Sequence, residues 1–408
     1  MNSVNQNNQN KLTMFNFFFL WFGAAMSIAE IMTGGLLAPL GFRDGLFVIL
    51  LGHLVGVIVL ILGGVIGFEA GLPSLKSTRI SFGVYGSYLF SIFNVLQLIG
   101  WTAIMIISGG RSVNIISKVL WSFDNVTFWS ILIGLMICLW IFFGNTGFKK
   151  INTIAVLLLL TLTAVLSMVV FKNDQLFSLK AVGEMSFGTA FELNVIMPLS
   201  WLPLIADYTR YARSKKEAVT GSFLGYFLGS SWMYIIGLST GILFENPDLG
   251  AIMMAANLGF TALGIIVLST VTTTFLDAYS AGVTFLNIMP KWDEKKVAVG
   301  MGIVGIAVAI LVPIEQFENF LYAIGSVFAP MFAILFTDYF IIKKRRKIQN
   351  KILINWGSML IWIFGIFLYY TFIKLDFVFG TTIPVMLVTS VVYKIFWRWI
   401  KNWKYEMK

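Results

Sequence analysis

Two carboxylates interrupt otherwise apolar stretches of the chain. Glu30 stands in the middle of WFGAAMSIAEIMTGGLLAPLG, and Asp277 in the middle of LSTVTTTFLDAYSAG. A charge inside so apolar a segment costs several kcal/mol, so it marks a binding or proton-carrying group unless a buried structural hydrogen bond holds it. Glu69, Asp207 and Asp338 lie nearer the ends of such stretches and read as interfacial or capping groups. The only histidine, His53, is either a packed ring or a proton relay. A row of hydroxyls precedes Asp277. Ser269, Thr272 and Thr273 fall at i, i+3, i+4 and share one helical face. Their hard oxygens suit a sodium ion, although threonines in such helices also bond their own carbonyls. Gln97 and Trp101, four residues apart, combine an amide that donates and accepts with a large flat ring. Ser200 and Trp201 offer a second such place. A planar heterocycle held at its edge and across its face is the matching ligand, whereas most of the 13 tryptophans belong to packing or interfacial belts.

These groups need elements that keep them out of water. The 408 residues are 58% hydrophobic and 12% charged, against roughly 45–50% and 25% for soluble domains. Twelve unbroken apolar runs are each long enough for a helix of about 20 residues to cross a bilayer. They lie near 14–40, 46–70, 84–110, 127–144, 152–171, 190–208, 219–243, 257–288, 297–313, 318–341, 353–372 and 376–397. Barrel strands would alternate every second residue and end after about ten. The chain is therefore predicted to be an all-α integral membrane protein. With the N-terminus placed inside, only Arg43, Arg111, Lys118, Lys172, Lys180 and Lys374 of the 29 Lys and Arg fall in outer segments. The other 23 are cytoplasmic, as the positive-inside tendency requires. The net charge of +10 is then a topology signal with the lipid bilayer as its partner, and nucleic acid is not expected. One cysteine excludes a disulfide scaffold. The Asn- and Gln-rich start carries no signal-peptide pattern and reads as a cytoplasmic tail.

Two runs carry backbone breakers. The first has Gly34, Gly35 and Pro39 after the small residues Ala24, Ala25 and Ser27. The sixth has Pro198 and Pro203 in VIMPLSWLPLIAD. Interrupted spans at matching places in two halves point to a transporter site, where freed carbonyls hold cations and freed amides hold acceptors. Ordinary kinks are the alternative.

Four phrases resemble the nucleobase:cation symporter-1 family over nearly the whole chain. They are ADYTRYARSKK (206–216), TDYFIIKKRR (337–346), QLIGW (97–101) and TTTFLDAYSAG (272–282). The opening of the first run most resembles the CytX-type branch, associated with hydroxymethylpyrimidine uptake, with cytosine permeases as near relatives. The resemblance implies a LeuT-like fold with two inverted five-helix repeats, 14–171 and 190–341, and discontinuous first and sixth helices. Two peripheral helices at 353–397 and cytoplasmic tails at 1–13 and 398–408 complete it. It also implies a sodium site at the carbonyls of Ala25 and Ile28 with Ser269, Thr272 and Thr273, and a stacking aromatic at Trp101. Where relatives usually carry asparagines, this chain has Thr274, Phe275 and Asp277, and Glu30 is a further departure. An aminopyrimidine with a protonated ring nitrogen presents two parallel donors to one carboxylate, which Asp277 or Glu30 would supply. The expected protein is a secondary active importer of a small planar pyrimidine in the bacterial cytoplasmic membrane. Hydroxymethylpyrimidine is the first expectation, with cytosine or another nucleobase second. Gln97, Trp101, Ser200, Trp201, Asp277 and Glu30 would bind it, with Na+ or H+ as coupling ion, no cofactor and no obligate protein partner. The chain has no HExxH and no GxSxG, and one histidine with one cysteine cannot build most catalytic centres, so an enzyme is not expected.

Overall fold

The computed structural model describes residues 11–143, 157–179 apart from 159, 162, 166 and 169, 183–244, 250, 254, 259–312, 317–342, 348, 350–400 and 402–406. The expected start of the fifth span, most of the 1–13 tail, and the basic residues Lys149, Lys150 and 343–347 lie outside them. Helices occupy all twelve expected places, the fifth being helical through the described part of 157–171. Seven helices are individually long and apolar enough to cross a membrane, and one bent pair makes an eighth.

That pair is the first span. Helix α1 (Met14–Ala25) ends where the Met26 amide folds back onto the Phe22 and Gly23 carbonyls. Ser27 is extended, and its hydroxyl accepts from the Glu30 amide to start α2 (Ile28–Leu36) at 59° to α1. The break therefore falls among the small residues. Gly34 and Gly35 lie within α2, and Pro39 opens a separate 3-10 turn, Ala38–Leu40.

The glycines have another use. A Cβ on Gly34 would run into the Tyr234 backbone, and one on Gly237 into the Ile31 carbonyl. Gly237→Ala is expected to push α2 away and cost about 1–3 kcal/mol of stability. Thermal unfolding of the detergent-solubilised protein checks this, and an unchanged midpoint would contradict the contact.

Helix α3 (Gly41–Ala70) follows at once. A short α4 (Ser74–Ser77) leads to α5 (Arg79–Trp121), which is kinked at Gly83 and longer at both ends than expected. After α6 (Val126–Phe143), the sixth span is made of α7 (Phe187–Ser200) and α8 (Leu202–Thr209). Here the discontinuity is milder than expected. Only Trp201 separates the two halves, in near-helical conformation, and the whole of Phe187–Thr209 counts as one crossing. Pro198 and Pro203 remove ladder donors, but a proline φ is itself compatible with a helix, so the axis continues while hydrogen bonds are lost. The remaining helices are α9 (Lys215–Leu243), α10 (Gly259–Phe285), α11 (Glu294–Leu311), α12 (Phe317–Phe336), α13 (Trp356–Phe372) and α14 (Thr382–Ile400).

Buried apolar residues form two main cores. One joins α1, α3, α7, α8, α9, α12, α13 and α14, the other joins α6, α10 and α11, and α5 packs into both. Helix α2 gives Ala29 to the first and Ile28 and Ile31 to the second, and α9 gives Met233 and Ile236 to the second. Outward faces stay apolar, as at Leu139 and Phe142 on α6 or Leu387 and Val391 on α14, which suits contact with lipid.

Described residues of both expected tails make defined contacts. Thr13 caps α1 through a reciprocal pair with Asn16, and Leu12 bonds the backbones of Tyr211 and Arg213. Strand β1 (Ile352–Asn355) pairs antiparallel with β2 (Lys404–Glu406), so neither the 1–13 nor the 398–408 tail is wholly free.

Candidate functional site

The break in the first span, α5, the α7–α8 junction and α10 meet around one small cavity. It is lined by Ser27, Ala29, Glu30, Trp101, Met105, Met197, Trp201, Thr273 and Asp277. Its volume of about 20 Å³ holds roughly one water, so a ring enters only if the walls part.

Five of the predicted residues (Glu30, Trp101, Trp201, Thr273 and Asp277) thus face one space. Asp277 is 5% exposed, and among the described residues no donor reaches its carboxyl. The Thr273 hydroxyl is likewise buried without a partner. Trp101 lies edge-on to Phe320 at 5.4 Å and Trp201 edge-on to Trp21 at 5.9 Å, contacts that fix both ring orientations.

Gln97 and Ser200 sit behind this wall, bonded to each other. The ladder defect at Trp201 leaves the Ser200 carbonyl without its usual donor, because the Leu204 amide reaches Trp201 instead. Gln97 Nε2 supplies the missing donor at 2.7 Å, and the Ser200 hydroxyl donates to Met197. Of the pair, only Gln97 Oε1 is buried and unpartnered. Neither lines the closed cavity, and their bond braces the α7–α8 junction, since a buried carbonyl must be satisfied.

The oxygens expected to hold sodium are partly engaged. Thr272 donates to the Leu268 and Ser269 carbonyls, and Ala25 O accepts from the Ser27 amide at 2.9 Å. Each keeps a lone pair for a cation. Ser269 and Ile28 are buried, and Thr273 alone of the five lines the cavity.

Glu30, 1% exposed, accepts from Tyr226 at 2.9 Å and from Ser230 at 2.7 Å, and Ser230 also meets His53 Nε2 at 2.6 Å. Sequence reading missed Tyr226 and Ser230. Their i, i+4 spacing on the seventh span was the only signal. It also missed Glu192, one turn inside the sixth span. Four donors converge on that carboxyl: Tyr369 and Thr382 hydroxyls at 2.6 Å and the Thr381 and Thr382 amides at 2.7 and 2.8 Å.

The carboxylates near span ends, read as interfacial or capping groups, link neighbouring elements, and Asp338 is fully buried. Asp207 accepts from the Ser74 amide, while the Ser74 hydroxyl accepts from Ala206. Asp338 accepts from Tyr393, and Glu69 meets Lys215 and Tyr339. A wider cavity of about 430 Å³ opens beside Lys76, Arg79, Asp207 and Arg210. Asn287 there joins Arg79, Ser87 and Ser91, and Thr284 joins Asn94, which sets a polar ladder along α5 and α10 below the pocket.

A helical membrane bundle with a closed pocket at a broken span, and a polar vestibule on one side, is the arrangement of a membrane transporter. Comparison with known proteins agrees. A profile for permeases of cytosine/purines, uracil, thiamine and allantoin matches residues 3–396. The cytosine permease of Escherichia coli K12 is 27% identical over 360 residues, covering 85% of this chain and 83% of its own. The allantoin permease of Bacillus subtilis is 23% identical, covering 85% and 79%. Among solved structures, Mhp1, a nucleobase-cation-symport-1 family transporter in a closed conformation with bromovinylhydantoin bound, superposes with a TM-score of 0.83. The match is at 17% identity, over 97% of this chain and 94% of that one. A Na+-coupled sialic acid symporter follows at 0.70, 13% identity, 98% and 92%. The chain belongs to the family of cytosine/purine, uracil, thiamine and allantoin permeases, and its fold is of the LeuT type.

Proposed function

We propose that this permease imports a small planar aminopyrimidine by alternating access, hydroxymethylpyrimidine in the first place and cytosine in the second. The observation that carries the reading is the Asp277 carboxyl, buried at the pocket and unmatched by any described donor. A buried acceptor in that state is destabilising until a ligand supplies donors. The amino group and protonated ring nitrogen of an aminopyrimidine are two parallel donors at the spacing of one carboxylate. Trp101 and Trp201 bound the flat faces, and Thr273 adds a hydroxyl at the rim. Glu30 completes the acidic lining from the opposite helix.

Cytosine shares the amino edge, and the similarity to a cytosine permease favours it as the second reading. The cation partners are carbonyls of Ala25 and Ile28 with hydroxyls of Ser269, Thr272 and Thr273, a hard-oxygen set suited to sodium. Coupling follows when ion and substrate stabilise the same arrangement of the first span and α10, so that each raises the other's affinity. The 23 to 6 division of Lys and Arg supports insertion in the bacterial cytoplasmic membrane with both termini inside.

Uptake of labelled hydroxymethylpyrimidine and cytosine, with and without sodium, in cells lacking their own permeases tests the reading. Saturable uptake of either one, competed by the other, is expected. If neither enters while a hydantoin or allantoin does, the aminopyrimidine assignment falls.

A further inference from the structure

The wider cavity below the pocket gathers positive charge without neutralising it. Lys76 on α4, Arg79 at the start of α5 and Arg210 just past α8 line its volume of about 430 Å³. Among the described residues no carboxylate lies within ion-pair distance of any of the three. Two acids share the cavity, Asp207 and Glu294. Asp207 Oδ1 is taken by the Ser74 amide at 3.0 Å, and Glu294 stands in the first turn of α11, where the helix end favours an anion. One positive charge is left over. Both guanidinium groups are also held in place. Arg79 Nη2 donates to Asn287 Oδ1 at 2.7 Å, and its guanidinium carbon lies 5.5 Å from the Tyr88 ring centre. Arg210 Nε donates to the Asp207 carbonyl at 3.1 Å, and its guanidinium carbon lies 4.6 Å from the Tyr211 ring centre. Arg79 Nε is buried without a partner. Topology asks only for positive charge on the inner side, which exposed lysines supply. It does not ask for two arginines fixed against aromatic rings at one cavity.

We propose that this cavity binds a phosphomonoester carried on a small flat ring, and that its occupancy arrests transport from the inner side. A phosphate dianion matches the forked donors of arginine. Arg79 keeps Nε and Nη1 for it, Arg210 keeps both terminal nitrogens, and Lys76 adds an ammonium on a flexible stem. Leu75, Val283, Leu286 and Pro290 supply apolar wall for the ring. Asp207 and Glu294 supply acceptors for a ring amino group, a part that inorganic phosphate and phosphatidylglycerol lack. A phosphorylated aminopyrimidine carries ring, amino edge and dianion together. Bound there, the dianion ties α4, the start of α5 and the end of α8 to one another. Asn287, beside it, bonds Ser87 and Ser91 and so joins the end of α10 to α5. These contacts belong to the arrangement in which the pocket is closed. A ligand that binds one arrangement better than the others shifts the population toward it, and transport needs all of them in turn.

The arrest rests on the permease reading and the binding does not, so two measurements separate them. In the first, labelled cytidine 5′-monophosphate is equilibrated with the purified full-length protein in neutral detergent. Saturable binding is expected, and Arg79→Ala is expected to weaken it by about tenfold or more. Arg79→Lys is expected to lose about tenfold, because one ammonium does not replace a fork held over a ring. Lys76→Gln changes an exposed side chain and is expected to lose less. An unchanged thermal midpoint shows that each variant is folded. Inorganic phosphate and phosphatidylglycerol are expected to displace the label about tenfold less well than unlabelled nucleotide. No saturable binding, or binding indifferent to both Arg79→Lys and Lys76→Gln, would overturn the site. Displacement by phosphate or phosphatidylglycerol as strong as by the nucleotide would overturn the ring assignment in favour of a bare anion or a lipid headgroup. In the second measurement, right-side-out membrane vesicles take up labelled cytosine or hydroxymethylpyrimidine, whichever enters. Cytidine 5′-monophosphate sealed inside is expected to abolish most of the uptake, Arg79→Lys is expected to restore it, and the same nucleotide outside is expected to have no effect. Undiminished uptake by loaded vesicles would overturn the arrest. Entry of neither pyrimidine would overturn the substrate reading instead, and uptake of allantoin or a hydantoin then carries the same comparison.

Discussion

Asp277→Asn is expected to weaken binding of the pyrimidine by about a hundredfold or more, since truncating one side of a buried charge-assisted contact costs about 2–5 kcal/mol. The asparagine is nearly isosteric, so packing on α10 is kept. One of its two positions becomes an NH2 donor facing a ligand donor, which removes one hydrogen bond and adds a repulsion. The removed charge also withdraws stabilisation from a protonated ring nitrogen. Equilibrium binding of labelled ligand to purified protein is the proper readout, because transport rates mix binding with the parting of the pocket walls. A dissociation constant within threefold of wild type would take Asp277 out of recognition. Asp277→Glu keeps the charge but moves it by one methylene in a cavity of about 20 Å³, and overpacking of that kind costs about 1–3 kcal/mol.

Glu192→Ala is expected to be the most destabilising single change named here. The carboxyl is 2% exposed and receives four hydrogen bonds. Two come from the Thr381 and Thr382 amides at the start of α14, and one from Tyr369 on α13. The residue thus ties the first half of the sixth span to both peripheral helices. Each donor left buried without an acceptor costs about 1–3 kcal/mol, so a loss of about 4 kcal/mol or more follows. Glu192→Gln keeps one acceptor oxygen but turns an NH2 toward amide donors, and is expected to lose about half as much. Thermal unfolding of the solubilised variants gives the ranking. A Glu192→Ala protein within 1 kcal/mol of wild type would show that the convergence of donors is not what holds these helices together. Neither variant touches the pocket, so the folded fraction is expected to bind substrate normally.

The motif phrases and the pocket have different origins in the fold. ADYTR and TDYF carry the family resemblance, yet Asp207, Asp338 and Tyr339 tether helix ends through Ser74, Tyr393 and Glu69. The resemblance was legible because end-of-span tethers need particular polar residues at particular places. The pocket lining instead comes from residues scattered over four spans.

Sequence by itself determined the membrane class, the helical places and the acids and rings that converge. Apolar length and charge placement answer to the bilayer, a solvent that every segment meets independently of its neighbours. It also placed a break in the first span among the right dozen residues. Which of them gives way was decided by tertiary contact. Gly34 is held straight against α9, so the bend moves to Met26 and Ser27. The bond from Gln97 to the Ser200 carbonyl likewise exists only because α5 lies beside the α7–α8 junction. The contacts of Glu30 exist only in the folded bundle. They depend on a hydroxyl 200 residues away that also meets a histidine on a third helix, and no local pattern records which groups will meet across space.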